Sequence, residues 1–527
     1  DNATYDFVIV GSGPSGSALA NRLSENPKWS ILLLEAGEEP NWVTDIPMAC
    51  GALEYSDYNW GYTCEPQSGF CRNCEDGIMQ YPHGNVLGGS SVINYMVYTR
   101  GNKLDFDRWA AMGNPGWSHD DVLPYFLKSE SAHLAVKDDE YHNNNGPLSV
   151  SDVPYRSKLA DVYVKASQEA GHPYVDYNGK NQIGVSYVQT TTKNGGRSDA
   201  EKSYLRPIKN RKNIKIQKAS RATKILINSN SKSAYGVEYI HGGKKYRVFA
   251  TKEVISSAGS LNSPQLLMLS GIGPKTHLKQ FGIPVKSDLP VGRKMYDHAI
   301  FPGIAFQLND SIPINLIEEI IDPFTYPKYL KGKGLLTSIS GVEAINYIKT
   351  NISTDSEDSY PDIELFMFGL SQAADNGMII RRAFNVDHNT YNKVFKSLES
   401  KYAYQVFPIL LHPKSLGRID LRSANPLDPP KFYANFFTDP ENKDVATLIA
   451  GIRELQRINK TPTMQKYNAT VVRTPLPGCE KVEFDSDEYW ECAIRGVVSA
   501  SYHQTSTCKM GPKNDTEAVV DHKLRVH

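Results

Sequence analysis

The feature that most constrains this chain is a glycine turn wedged between a strand and a helix at its start. Asp6 to Val10 read DFVIV, a nearly continuous apolar run of strand length. GSGPSG follows, with Gly11, Gly13 and Gly16, and then SALANRLSE has the spacing of an amphipathic helix. A second apolar run, WSILLLE, ends at Glu35. Strand, glycine turn, helix, strand and acid together make the dinucleotide-binding fingerprint. Gly11 permits the tight turn, Gly13 lets the backbone approach a pyrophosphate, and Gly16 lets helix and strand pack closely. The helix N-terminus offers free N–H groups to phosphate oxygens. Glu35 lies where an acid can bind ribose hydroxyls. The fingerprint by itself does not choose between FAD and NAD.

Two further glycine-rich blocks follow. HGNVLGGSSVINYMVYTRGNKLDFDRWA, residues 83–110, places Gly88 and Gly89 where the backbone can meet a flat ring or phosphate, beside the hydroxyls of Ser90 and Ser91. KEVISSAGSLNSPQLLMLSGIG, residues 252–273, reads as a strand, a turn and a helix. Its helix is expected to start at Asn262, Ser263 and Pro264, since proline suits a helix's first turn, and to stop at Gly271 and Gly273.

In this order and spacing, with VGRKMYDH at 291–298 and SYHQTSTCKMG at 501–511, these blocks resemble the glucose–methanol–choline oxidoreductase family over nearly the whole chain. TCEPQSGFC before the glycine block and YWECAIR before the histidine block are most similar to its insect glucose-dehydrogenase branch, a group that includes alcohol oxidases. The resemblance implies an α/β Rossmann-like FAD-binding domain interleaved with an α+β substrate domain built on an antiparallel sheet. It implies FAD oxidation of a small-molecule alcohol to the carbonyl, with oxygen, a quinone or a similar oxidant as acceptor. Gly11, Gly13, Gly16 and Glu35 should hold the adenine nucleotide end. Gly88, Gly89, Ser90, Asn94 and Val97 should lie along the flavin, and Ala222 should meet adenine through its backbone. Ile93 occupies the position at which some members attach flavin through a histidine, so noncovalent FAD is implied.

The resemblance also makes His503 the catalytic base. Imidazole titrates near neutral pH and can take the alcohol proton while hydride leaves for flavin N5. His298, in the YDH block, is not expected to be the base. His83 stands where an arginine is common, and Lys294 and Tyr296 also depart from the family pattern. The chain ends at Arg525, Val526 and His527, whereas the family pattern continues to a second active-site His or Asn. Two expectations stand open: a natural chain that continues, or a truncated, noncatalytic, secreted binding or structural protein.

The FAD-binding domain is expected over 1–150, 195–300 and 490–527, and the substrate domain over 151–194 and 301–489. PDIELFMFG, residues 361–369, and YAYQVFPILLHP, residues 402–413, read as strands of the sheet covering the flavin. SLGRIDLRS, residues 415–423, reads as a hairpin arm, and Ala299 to Phe306 as a buried element. DSEDSYPD, residues 355–362, reads as an exposed acidic loop, and Trp60, Tyr62 and Phe70 as a lid region whose rings either line an access path or simply pack.

With 58 Lys plus Arg against 58 Asp plus Glu, no global field favours nucleic acid. The densest basic stretch, Lys193, Arg197, Lys202, Arg206, Lys209, Arg211, Lys212, Lys215 and Lys218, reads as a solvated surface. No apolar run is long enough for a transmembrane segment. Among the seven cysteines, Cys71 and Cys74 form a lone CxxC without further ligands in sequence, so no metal is expected. Cys479 and Cys492 could close a small disulfide loop. Asn-x-Ser/Thr sites at Asn2, Asn309, Asn351, Asn459, Asn468 and Asn514, together with the cysteines, lean toward a secreted or luminal protein.

Overall fold

The computed structural model describes residues 3–527, so Asn2 lies outside the described residues. The apolar opening run forms the strand Thr4–Val10, with Val8, Ile9 and Val10 buried. It is hydrogen-bonded in parallel to Ile31–Leu34 on one side and to Lys244–Ser256 on the other. A strand buried on both faces must be apolar throughout, and VIV and ILLL are. The full order is Ile214–Gln217, Ile31–Leu34, Thr4–Val10, Lys244–Ser256, Ala234–His241 and Ser220–Ile227. The first four strands run parallel, and the last three form an antiparallel meander. The helix Pro14–Leu23 starts with proline in its first turn and buries Gly16 and Ala20 against the sheet.

The second sheet has eight strands. Its path runs Thr470–Val471, Phe306–Leu308, Tyr402–Leu410, Ile363–Phe368, Val342–Ile348 and Gly184–Tyr187, with antiparallel pairing throughout. The expected strands within 361–369 and 402–413 are thus central to it. Ala299–Ile300 pairs with both Tyr402–Leu410 and Ser499–Ala500, so the histidine block enters along this sheet. The amphipathic helix Lys443–Asn459 packs on the sheet through Val445, Leu448, Ile452 and Leu455. The segment read as a hairpin arm holds Arg418–Asp420, paired with Lys431–Tyr433.

Four expectations change. The helix near Pro264 begins earlier, at Gly259, and runs to Leu269 with Pro264 inside it. Proline lacks the N–H that would bond the carbonyl four residues back. That carbonyl, on Ser260, instead accepts from Thr507 Oγ1 at 2.7 Å, so a backbone defect becomes a tether to the histidine block. Arg197 is only 2% exposed and does not belong to a solvated basic surface. In the acidic loop, Tyr360 is buried and stacks on His412, with ring centroids 4.1 Å apart. Asn459 is buried, and its side chain bonds Tyr404 Oη and the Ala469 carbonyl, so it is closed to a glycan. Asn309, Asn351, Asn468 and Asn514 are exposed.

Cys71–Cys74 and Cys479–Cys492 are both disulfides, while Cys50, Cys64 and Cys508 are free. Among the described residues, no cluster of His, Cys, Asp or Glu could hold a metal ion, and no helix is long and apolar enough to cross a membrane.

Candidate active site

The glycine turn opens onto one large cavity of about 1600 Å³ between the two sheets. This exceeds the roughly 300–1,000 Å³ of ordinary small-molecule pockets and suits a dinucleotide with space for a substrate. A Cβ at Gly16 would lie 1.9 Å from the Gly11 carbonyl oxygen, so helix and turn can close only on glycine. A Cβ at Gly13 would meet nothing within 4 Å, because Gly13 faces the cavity. The helix that follows has no side-chain cap, which leaves its first N–H groups free for an anion. An uncapped helix end, a bare glycine and open space beside them fit the pyrophosphate of FAD.

Glu35 sits at the end of Ile31–Leu34, buried against that turn. Its Oε2 accepts from the Ser12 backbone N–H at 2.9 Å and from Ser12 Oγ at 2.6 Å, and its Oε1 accepts from the Gly37 N–H at 2.8 Å. The carboxylate therefore braces the glycine turn as well as bordering the cavity. Burial raises its pKa against these hydrogen bonds. Ser12 was not singled out by spacing, since only the fold brings its hydroxyl to Glu35.

The second glycine block crosses the first. Gly88 and Gly89 both have positive φ, at 101° and 59°, and a Cβ on Gly89 would lie 2.6 Å from Gly13 Cα. Ser90 Oγ accepts from the Gly84 N–H at 3.0 Å. The block is clamped from beneath by Arg197. Its guanidinium donates to the carbonyls of Thr44, Ser91 and Asn94 at 2.9, 3.0 and 2.8 Å, and to Asn94 Oδ1 at 2.9 Å. A buried cation serving three carbonyls in two separate segments leaves no local signature in sequence.

His503 reaches the cavity from a strained turn. Tyr502 before it adopts a left-handed φ of 62°, and Ser506 one of 69°. Buried Asp297 holds the turn: its Oδ1 accepts from the His503 N–H and its Oδ2 from Gln504 Nε2, both at 2.9 Å. Burial pushes the Asp297 carboxyl up to about 7. The rings of His298 and His503 meet edge to face, with Nδ1 to Nδ1 at 3.2 Å. His503 borders the cavity, and desolvation by the surrounding protein pushes its imidazole down to about 4. Burial and the neighbouring His503 push His298 down to about 3, while a hydrogen bond to the Leu411 carbonyl opposes the fall. A neutral imidazole has one N–H. If His298 spends it on Leu411, its Nδ1 must accept, His503 Nδ1 must donate, and His503 Nε2 is left with the free lone pair.

Gly11, Gly13, Glu35, Gly89, Ser90, Asn94, Val97, Ala222 and His503 all border this cavity. Gly16 and Gly88 stand behind its wall, where they allow close packing. His83 lines it too, with its ring against Gly259. Of the lid rings, Trp60 borders the cavity, whereas Tyr62 packs on Phe432 and Phe70 on Phe436. Ile93 is 4% exposed and offers no nucleophile for covalent attachment.

This fold and cavity define an FAD-dependent oxidoreductase. Residues 5–300 match the first model of the GMC oxidoreductase family, and residues 413–527 match the second. The chain belongs to the GMC oxidoreductase family, and its cofactor is noncovalent FAD. It is 38% identical over 528 residues to a glucose dehydrogenase [FAD, quinone] of Drosophila melanogaster, covering 99% of this chain and 81% of the relative. It is 34% identical over 537 residues to the mitochondrial choline dehydrogenase of Homo sapiens, covering 99% of this chain and 83% of the relative. A pyridoxine 4-oxidase from Mesorbium loti superposes with a TM-score of 0.81 at 26% identity, covering 99% of this chain and 92% of that one.

Proposed function

We propose that the enzyme oxidises an alcohol to its carbonyl, with His503 as the base. The observation that carries this reading is the placement of His503 in the same cavity as the glycine turn, with its Nδ1 against His298 Nδ1. Bound FAD supplies the hydride acceptor. His503 takes the hydroxyl proton at Nε2, His298 fixes the ring, and Asp297 fixes the turn. Gly11, Gly13, Gly16, Glu35 and Ala222 serve the adenine nucleotide end, and Gly88, Gly89, Ser90, Asn94 and Val97 the flavin. The FAD-binding part comprises 1–150, 195–300 and 490–527, and the substrate part 151–194 and 301–489. A quinone is the acceptor favoured by the 38% identity to a dehydrogenase whose name specifies quinone.

The test is anaerobic flavin bleaching across a panel of sugars, aliphatic alcohols, benzylic alcohols and sterols. Bleaching by at least one alcohol, lost in His503→Ala with flavin still bound, supports the reading. Bleaching that survives in His503→Ala removes His503 from the mechanism.

We also place the protein in an oxidising compartment, because two disulfides persist there. Endoglycosidase treatment of the natural protein should lower its mass through Asn309, Asn351, Asn468 or Asn514. An unchanged mass together with free thiols at all seven cysteines counts against this placement.

A further inference from the structure

The second sheet carries a cross-strand row that measures the substrate cavity. Tyr347 pairs with Glu364, Glu364 with Ile409, Ile409 with Ile300, and Ile300 with Ser499. Residues directly opposite one another project from the same face of a sheet. Four of the row, Glu364, Ile409, Ile300 and Ser499, border the cavity. Strands lie about 4.8 Å apart, so three steps put Glu364 roughly 14 Å across the sheet from Ser499. Ser499 precedes His503 by four residues. The floor between them is apolar: Ile300, Ile409 and, two residues along from Glu364, Phe366.

Glu364 ends this apolar floor with a carboxyl. It is 7% exposed and makes no ion pair among the described residues. The donor beside it is the Tyr347 phenol, which Thr99 Oγ1 shares at 3.1 Å. Thr99 also faces the cavity. A buried carboxyl with so few partners is costly unless something else completes its hydrogen bonding. Burial, opposed by the Tyr347 hydrogen bond, pushes this carboxyl up to about 8. It is therefore protonated at neutral pH and can donate and accept together, which matches a hydroxyl better than an ammonium.

Resting on the alcohol-oxidation reading, we propose that Glu364 and Thr99 bind a second hydroxyl at the far end of the substrate. The substrate class is then an elongated, mostly apolar alcohol: one hydroxyl is oxidised at His503, and another is held three strands away. The apolar floor accepts the body of the molecule, and the Glu364 end rejects one whose remote terminus is bare, because a polar pair would be left unmatched.

The experiment is anaerobic flavin reduction by the holoenzyme with a homologous series of unbranched α,ω-alkanediols. Each is compared with the 1-alkanol and the ω-amino-1-alkanol of equal length. At one chain length the diol should be favoured over the mono-alcohol by roughly tenfold or more in kcat/KM. Glu364→Leu should bring that ratio close to one. Should Glu364→Leu lose its flavin, Thr99→Val makes the same comparison with a smaller change of volume, and its ratio should fall severalfold. Diols and mono-alcohols that reduce the flavin equally at every length would overturn the proposal while leaving alcohol oxidation intact. So would a diol preference that survives in both variants, or a preference for the amino-alcohol. Failure of every alcohol to reduce the flavin would overturn the oxidation reading itself.

Discussion

His298 Nδ1 lies 3.2 Å from His503 Nδ1, a contact between residues 205 positions apart in the chain. On the proposal that His503 is the base, it makes His298 a positioning residue. His298→Ala should lower kcat by roughly tenfold to a hundredfold, since a small misplacement of the base is enough to cost that much. KM should move little. On the same proposal, His503→Ala should cost about 10²–10⁴-fold. Stopped-flow flavin reduction separates the two, and equal losses in both variants would argue that His298 shares the proton chemistry.

The pH dependence of flavin reduction should be unusual for a histidine base. Burial holds His503 down at about 4, so its neutral form persists far below the ordinary histidine range. The acid limb of kcat/KM should fall well below pH 6. A limb at the ordinary value of about 6.5 would show that the cavity around His503 is well hydrated.

Gly13 and Gly16 should part company when each is replaced by alanine. A methyl at Gly13 meets open space in the protein, so Gly13→Ala should fold with nearly unchanged far-UV dichroism yet bind FAD poorly. A methyl at Gly16 strikes the Gly11 carbonyl at 1.9 Å, so Gly16→Ala should damage folding itself. Flavin content against melting temperature distinguishes them.

Arg197→Met should strip the buried Thr44 carbonyl and the part-buried Ser91 and Asn94 carbonyls of their donor. An orphaned buried group costs about 1–3 kcal/mol, and one that water can reach costs less. The variant should melt lower and release flavin more readily, because the 88–94 loop loses its clamp. Wild-type flavin retention would show that the clamp is dispensable.

Glu54 lines the cavity beside Tyr95, and burial, opposed by the Tyr95 hydrogen bond, pushes its carboxyl up from 4.5 to about 8. Between those values the folded protein binds more protons than the unfolded chain, so stability falls as pH rises and levels off above about 8. Each pH unit of displacement corresponds to about 1.4 kcal/mol at most. Glu54→Gln should flatten the stability curve across this window. Denaturant unfolding at pH 5 and pH 8 checks it, and parallel curves for the two proteins would refute the assignment.

The parts of the site legible in the sequence are those made by neighbours in the chain. GSGPSG and its flanking apolar runs specify strand, turn and helix within thirty-odd residues, and the structure forms them there. Arg197 was not legible, because its burial depends on carbonyls about 100 and 150 residues away. The start of the Gly259–Leu269 helix was misplaced because proline's preference for a first turn is local, whereas Thr507 rescues the Ser260 carbonyl from 247 residues away. The partnership of His298 with His503 likewise depends on the pairing of Ala299–Ile300 with Ser499–Ala500.

The parallel pairing of Thr4–Val10 with Lys244–Ser256 has a consequence for how the protein is born. The first strand leaves the ribosome long before its central neighbour exists. At about 5–20 residues per second, the gap of some 240 residues is on the order of ten to fifty seconds. During that time an apolar strand edge waits without a partner, open to non-native pairing. A nascent chain arrested before residue 244 has no complete nucleotide sheet, so cofactor capture must follow synthesis of that strand, and the histidine turn can be set only about 250 residues later still.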